Sequence, residues 1–84
     1  MTRKDDRQRA ESAADLLRER FALTPAEATV AMLVADGLTY TEIAKRLSVS
    51  AHTVHTHIKE IHKKLRVHSN GRAAALVRKL EDEG

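Results

Sequence analysis

Apolar residues recur at helical spacing along most of the chain. In the segment DDRQRAESAADLLRERFA, Ala10, Ala13, Ala14, Leu17 and Phe21 share one side while charges occupy the rest, which predicts an amphipathic helix over about residues 5–21. Residues 1–4 are expected to fray. Thr24-Pro25-Ala26-Glu27 then supplies an N-cap hydroxyl, a proline at the first helical position and a glutamate at the third, the elements of a capping box. The helix it opens is predicted over about 25–36, turns Val30, Leu33 and Val34 inward, and stops at Gly37, the residue most tolerant of a left-handed ending.

Thr39-Tyr40-Thr41-Glu42 repeats the device ahead of a short helix with Ile43, Ala44 and Leu47 on one side. Ser50 is a good N-cap for a helix starting at Ala51, so only a tight turn fits between Leu47 and Ala51. From Ala51, the residues Val54, Ile58, Ile61 and Leu65 recur at i, i+4, i+7 and i+11, the stripe of a helix about 15 residues long. Ser69-Asn70-Gly71 breaks the pattern, and Ala73, Leu76, Val77 and Leu80 mark a last helix. The expected fold class is all-α, a small helical bundle with an extra N-terminal amphipathic helix.

Composition agrees with that class: one proline, three glycines and only Phe21 and Tyr40 as aromatics favour helices over sheets. A single domain of 84 residues has room for a simple core and none for a large internal pocket. Without cysteine there is no disulfide framework, thiolate metal site or cysteine nucleophile. No apolar run approaches the roughly 18 residues that span a bilayer, and no signal-peptide pattern opens the chain, so no membrane partner is expected and a cytoplasmic location is. The net charge of +3 is unevenly spread: residues 51–72 hold five basic and one acidic residue, while every other stretch lies within one charge of neutrality.

That basic stretch also holds all five histidines, four of them in SAHTVHTHIKEIHKKL. Projected at 100° per residue from Val54, Lys59, His52, Lys63 and Thr56 lie about 140–200° away, opposite the apolar stripe, with His55 beside them at about 100°. Thr53 and His57 fall on one flank and His62 on the other. A metal site needs three or four converging ligands, and only His52 and His55 have a suitable spacing, so no metal or other cofactor is expected. Catalysis needs an oriented base in a water-excluded cleft, which an exposed helix face does not offer; the expectation is a protein that is not an enzyme. Two readings of the face stay open on these grounds: a solvated polar surface, or a surface that meets an acidic partner.

A capped short helix, a turn of about four residues and a longer helix with a basic outer face form a helix-turn-helix. The segment LTPAEATVAMLVADGLTYTEIAKRLSVSAHTVHTHIKEIHKKLRV, with its EIA…L…S…TV…H…KL spacing, resembles the DNA-binding domain of the LuxR/GerE family of bacterial transcription regulators over about 45 residues. The chain departs from the family pattern in places. His55 follows TV where lysine or arginine is usual, and Asn70 stands where arginine is common. Arg66 follows KL where glycine is usual, so the helix either runs on or ends on a non-glycine residue.

The resemblance implies a regulator that binds double-stranded DNA, with residues about 51–66 as the recognition helix in the major groove. It implies His52, His55, Thr56 and Lys59 at base edges, and Thr53, His57, Lys63 and Lys64 at phosphates, with bracing of the turn as the alternative for His57. It implies a homodimer through the C-terminal helix, with Ala74, Val77 and Arg78 near a two-fold axis, and a place on the bacterial nucleoid. Residues 23–84 form the family domain and residues 1–22 an extension, expected to pack on it. Two alternatives remain: a module like region 4 of sigma factors, which would bind RNA polymerase as well as promoter DNA, and a protein-interaction module that does not bind DNA.

Overall fold

The computed structural model describes residues 3–83, with side chains from Ser12 onward. Five helices follow one another: α1 (Arg3–Phe21), α2 (Pro25–Ala35), α3 (Tyr40–Leu47), α4 (Ala51–Leu65) and α5 (Asn70–Glu83). Leu17, Val30, Ile43, Val54, Ile61 and Val77 are the largest fully buried side chains, so every helix contributes to one core. The helix α2 is central, packing against α1, α4 and α5 and touching α3, while α3 packs mainly on α4.

Local chemistry sets the boundaries. Thr24 and Thr39 each close a full capping box, with Glu27 and Glu42 returning to the N-cap N–H at 2.9 and 2.8 Å. Ser50 caps α4 through the Thr53 N–H at 3.0 Å, and the Ser69 hydroxyl accepts the Arg72 N–H at 3.1 Å at the start of α5. Four helix ends pass through the left-handed region, at Ala22, Gly37, Ser48 and Arg66, and only one of these is glycine. At Arg66 (φ 57°) the Arg66 and Val67 N–H groups return to the Lys63 and His62 carbonyls, so α4 ends there and does not run on. At Ser48 the same pair of returns goes to Lys45 and Ala44, leaving a turn of only Ser48, Val49 and Ser50 before α4.

The apolar patterns hold in outline and shift in detail. The α4 stripe of Val54, Ile58, Ile61 and Leu65 is buried as expected. In α1, Ala13 and Leu17 are buried, Ala14 and Phe21 half-buried, and the Ala10 side chain lies outside the described residues. Part of the predicted 1–4 fraying falls there too; α1 itself already begins at Arg3. In α2, Val30 is buried but Leu33 and Val34 are only half-buried, and Glu27, Ala28, Ala31 and Ala35 take the inner positions. A central helix with neighbours on several sides needs small residues where they approach, and three alanines meet that need.

Candidate nucleic-acid interface

With its apolar stripe buried, α4 presents the other side to solvent. His52, His55, Thr56, Lys59 and Lys63 are exposed; Thr53 and His57 are half-buried at the margin. The short helix α3 packs across α4 behind the three-residue turn. Lys45 and Arg46 are exposed on the last turn of α3, extending the basic surface beyond α4.

Several of these side chains already have a local partner. The Thr56 hydroxyl donates to the His52 carbonyl at 3.1 Å, so its remaining capacity is as an acceptor. Thr53 and Ser50 pair their hydroxyls at 3.0 Å at the N-terminus of α4. His57 lines a surface recess of about 250 Å³ with Ala26, Thr29, Val30, Leu47 and Val49. The imidazole of His55 lies against the ring of Tyr40, their centroids 5.9 Å apart. Among the described residues, no three His, Cys, Asp or Glu side chains gather as a metal site would require, and no helix is long and apolar enough to cross a membrane.

Lys64 differs from its neighbours. Its ammonium donates to Oε1 of Glu27 at 2.7 Å and to the Ala22 carbonyl at 3.1 Å. Glu27 is only 5% exposed and is the one buried charged residue among those described. Burial pushes its carboxyl up, but the Lys64 hydrogen bond, the Thr24 backbone N–H and the Lys64 charge outweigh this and hold it below the ordinary glutamate range. Lys64 thus ties the end of α1 and the start of α2 to the end of α4. The charge expected at a phosphate is engaged inside the domain.

The C-terminal helix places the residues expected at a dimer interface. Ala74 and Val77, expected beside a two-fold axis, are 7% and 0% exposed within this chain's own core, because α5 packs on α2 and α1. Arg78 reaches back to donate to the Ala35 carbonyl at the end of α2, at 3.3 Å. What α5 leaves exposed is Gly71, Arg72, Ala75, Arg78, Lys79, Asp82 and Glu83. Sequence reasoning also passed over Tyr40 and Asn70: the Asn70 amide donates to the Tyr40 hydroxyl at 3.3 Å, and its oxygen meets Nε2 of His62 at 2.9 Å. The replacement of a common arginine by Asn70 was the one visible signal.

A short capped helix, a three-residue turn and a longer helix with an apolar inner and basic outer face define this as a helix-turn-helix protein. The model of the family described as bacterial regulatory proteins, luxR family, matches residues 22–77, and the chain belongs to that family. Over 44 residues it is 50% identical to "Putative HTH-type transcriptional regulator Mb0914c" of Mycobacterium bovis and, to the same degree, to two proteins of Mycobacterium tuberculosis with the same description. The matched region is 52% of this chain but 5% of each relative, so the chain spans only a small part of their length. No solved structure matches it.

Proposed function

We propose that this chain binds double-stranded DNA in a sequence-dependent manner as a transcription regulator, with α4 entering the major groove. The observation that carries the reading is the division of α4 itself. Four buried apolar residues fix the helix, while His52, His55, Thr56 and Lys59 are exposed on its outer side. A helix held this way presents its first turns to base edges, while the preceding helix crosses the backbone. In this reading those four residues read bases. Lys63, Thr53 and His57 lie toward phosphates, Lys63 by charge and the other two from the flank, and Lys64 holds the recognition helix in place.

Affinity then comes chiefly from cations near phosphates with release of counterions, and specificity from the outer face of α4. We infer two copies on a two-fold site, meeting through exposed residues of α5 such as Arg72, Ala75 and Lys79, with Ala74 and Val77 kept in the core. The setting is the bacterial cytoplasm, at the nucleoid. Selection of bound fragments from random DNA, followed by a salt titration, tests the reading: an enriched motif and affinity that falls steeply with salt are expected. No motif and no salt dependence would leave a protein-interaction module in its place. A motif without two-fold symmetry, bound by one copy in sedimentation, would remove the dimer alone.

A further inference from the structure

Tyr40 is the first residue of α3 and belongs to none of the residues assigned to base edges or phosphates. Its ring is half-buried and meets the His55 imidazole with planes inclined at 52° and centroids 5.9 Å apart, within the range where tilted aromatic pairs attract. The phenol oxygen accepts from Nδ2 of Asn70, whose own oxygen faces Nε2 of His62. With the amide turned this way, His62 donates from Nε2. The Tyr40 ring is therefore held twice, by the backbone of α3 and by a side chain at the start of α5 that is itself fixed by α4.

An exposed imidazole on an isolated helix samples several rotamers, and ordering it on a base edge costs entropy on binding. A fixed ring beside it removes part of that freedom beforehand. We propose that Tyr40 is a positioning residue for His55: the ring sets the imidazole's orientation toward the base edge, and the Asn70–His62 pair sets the ring. The inference rests on the DNA-binding reading. It makes a residue of α3 and one of α5 determinants of base preference although neither need touch a base.

The test compares affinity for the selected site with affinity for its single-base variants, using wild type, Tyr40→Leu, Tyr40→Phe, His55→Ala and the Tyr40→Leu/His55→Ala double variant. His55→Ala is expected to erase the preference at one base pair. Tyr40→Leu should weaken that same preference by roughly 2- to 10-fold, Tyr40→Phe should retain most of it, and Tyr40→Leu should change nothing further once His55 is alanine. Equal weakening on every sequence, or an undiminished Tyr40→Leu effect without His55, overturns the proposal. Should Tyr40→Leu fail to fold, Asn70→Ala decides the matter. A loss confined to the His55 base pair supports positioning; a uniform loss or none overturns it. A wild-type protein with no preferred site defeats the DNA-binding reading itself and the positioning role with it, before any variant is compared.

Discussion

The ammonium of Lys64 and the carboxylate of Glu27 meet at 2.7 Å, and the same oxygen, Oε1, accepts the N-cap N–H of Thr24 at 2.9 Å. One carboxylate thus completes a capping box and pins α4 to α2. Removing the cation leaves Glu27 buried without its counter-charge. Lys64→Met is expected to cost about 1–3 kcal/mol in urea denaturation, below the range for fully buried pairs because Lys64 is partly solvated. Its DNA affinity should keep the wild-type slope against log salt. Lys63→Ala should do the opposite, with unchanged stability and a slope shallower by roughly 0.9 for one lost phosphate contact. A shallower slope for Lys64→Met would mean that Lys64 leaves Glu27 for DNA.

Acid sensitivity arises from the same carboxylate. Glu27 and Glu42 both titrate below the ordinary glutamate value of 4.5. For Glu27, the Lys64 and Thr24 contacts outweigh burial; for Glu42, the Thr39 N–H and hydroxyl lower it directly. A depressed folded-state value means that the unfolded chain takes up protons first, so this stability is complete above about pH 4.5 and drains away as pH falls through the folded values. Unfolding free energy should therefore be level from about pH 7 to 5 and decline below that. Glu27→Gln should be less stable at neutral pH and show a shallower decline, by up to about 1.4 kcal/mol per pH unit for each full proton of difference. Stability that increases on acidification below pH 4.5 would contradict the assignment.

The ends of the helices make a paired prediction. Gly37 (φ 89°) and Arg66 (φ 57°) both lie in the left-handed region, yet only one has the side chain suited to it. Arg66→Gly is expected to stabilise by about 0.5–1 kcal/mol, relief of strain being partly offset by the freer unfolded chain. Gly37→Ala should lose about 1 kcal/mol through backbone strain alone, since no neighbouring heavy atom lies within 4 Å of the added carbon. In thermal denaturation these amount to opposite shifts of several degrees for a domain of this size.

The sequence was most readable where one turn of chain determines the outcome. The two threonine capping boxes, the Ser50 cap, the Gly37 stop and the α4 stripe all depend on neighbours three or four residues away, and each appears where expected. What escaped depends on partners far along the chain. Lys64 looks like its exposed neighbour Lys63 until Glu27, 37 residues earlier, is seen to face it. Ala74 and Val77 look free to pair with a second copy until α1 and α2 are packed on α5. The Asn70–Tyr40 contact spans 30 residues and joins two helices that no local period connects.

Packing of α1 is another of these long-range effects and gives the last prediction. Residues 1–21 precede the stretch matched by the family model, yet Leu17 is fully buried and Ala13 with it, and α1 lies against both α5 and α2. Leu17→Ala should cost about 2–5 kcal/mol, a large share of the roughly 5–13 kcal/mol available to a domain of this size. Arg20 joins Glu83 across the same helix pair at 3.2 Å, but both side chains are about half-exposed, so Arg20→Ala should cost less than about 1 kcal/mol. Urea denaturation of the two variants separates the cases. Because His52, His55, Thr56 and Lys59 are exposed on the outer face of α4 with α1 in place, the base preference of folded Leu17→Ala should match wild type. A Leu17→Ala loss no larger than that of Arg20→Ala would show that α1 unfolds apart from the helices that hold α4.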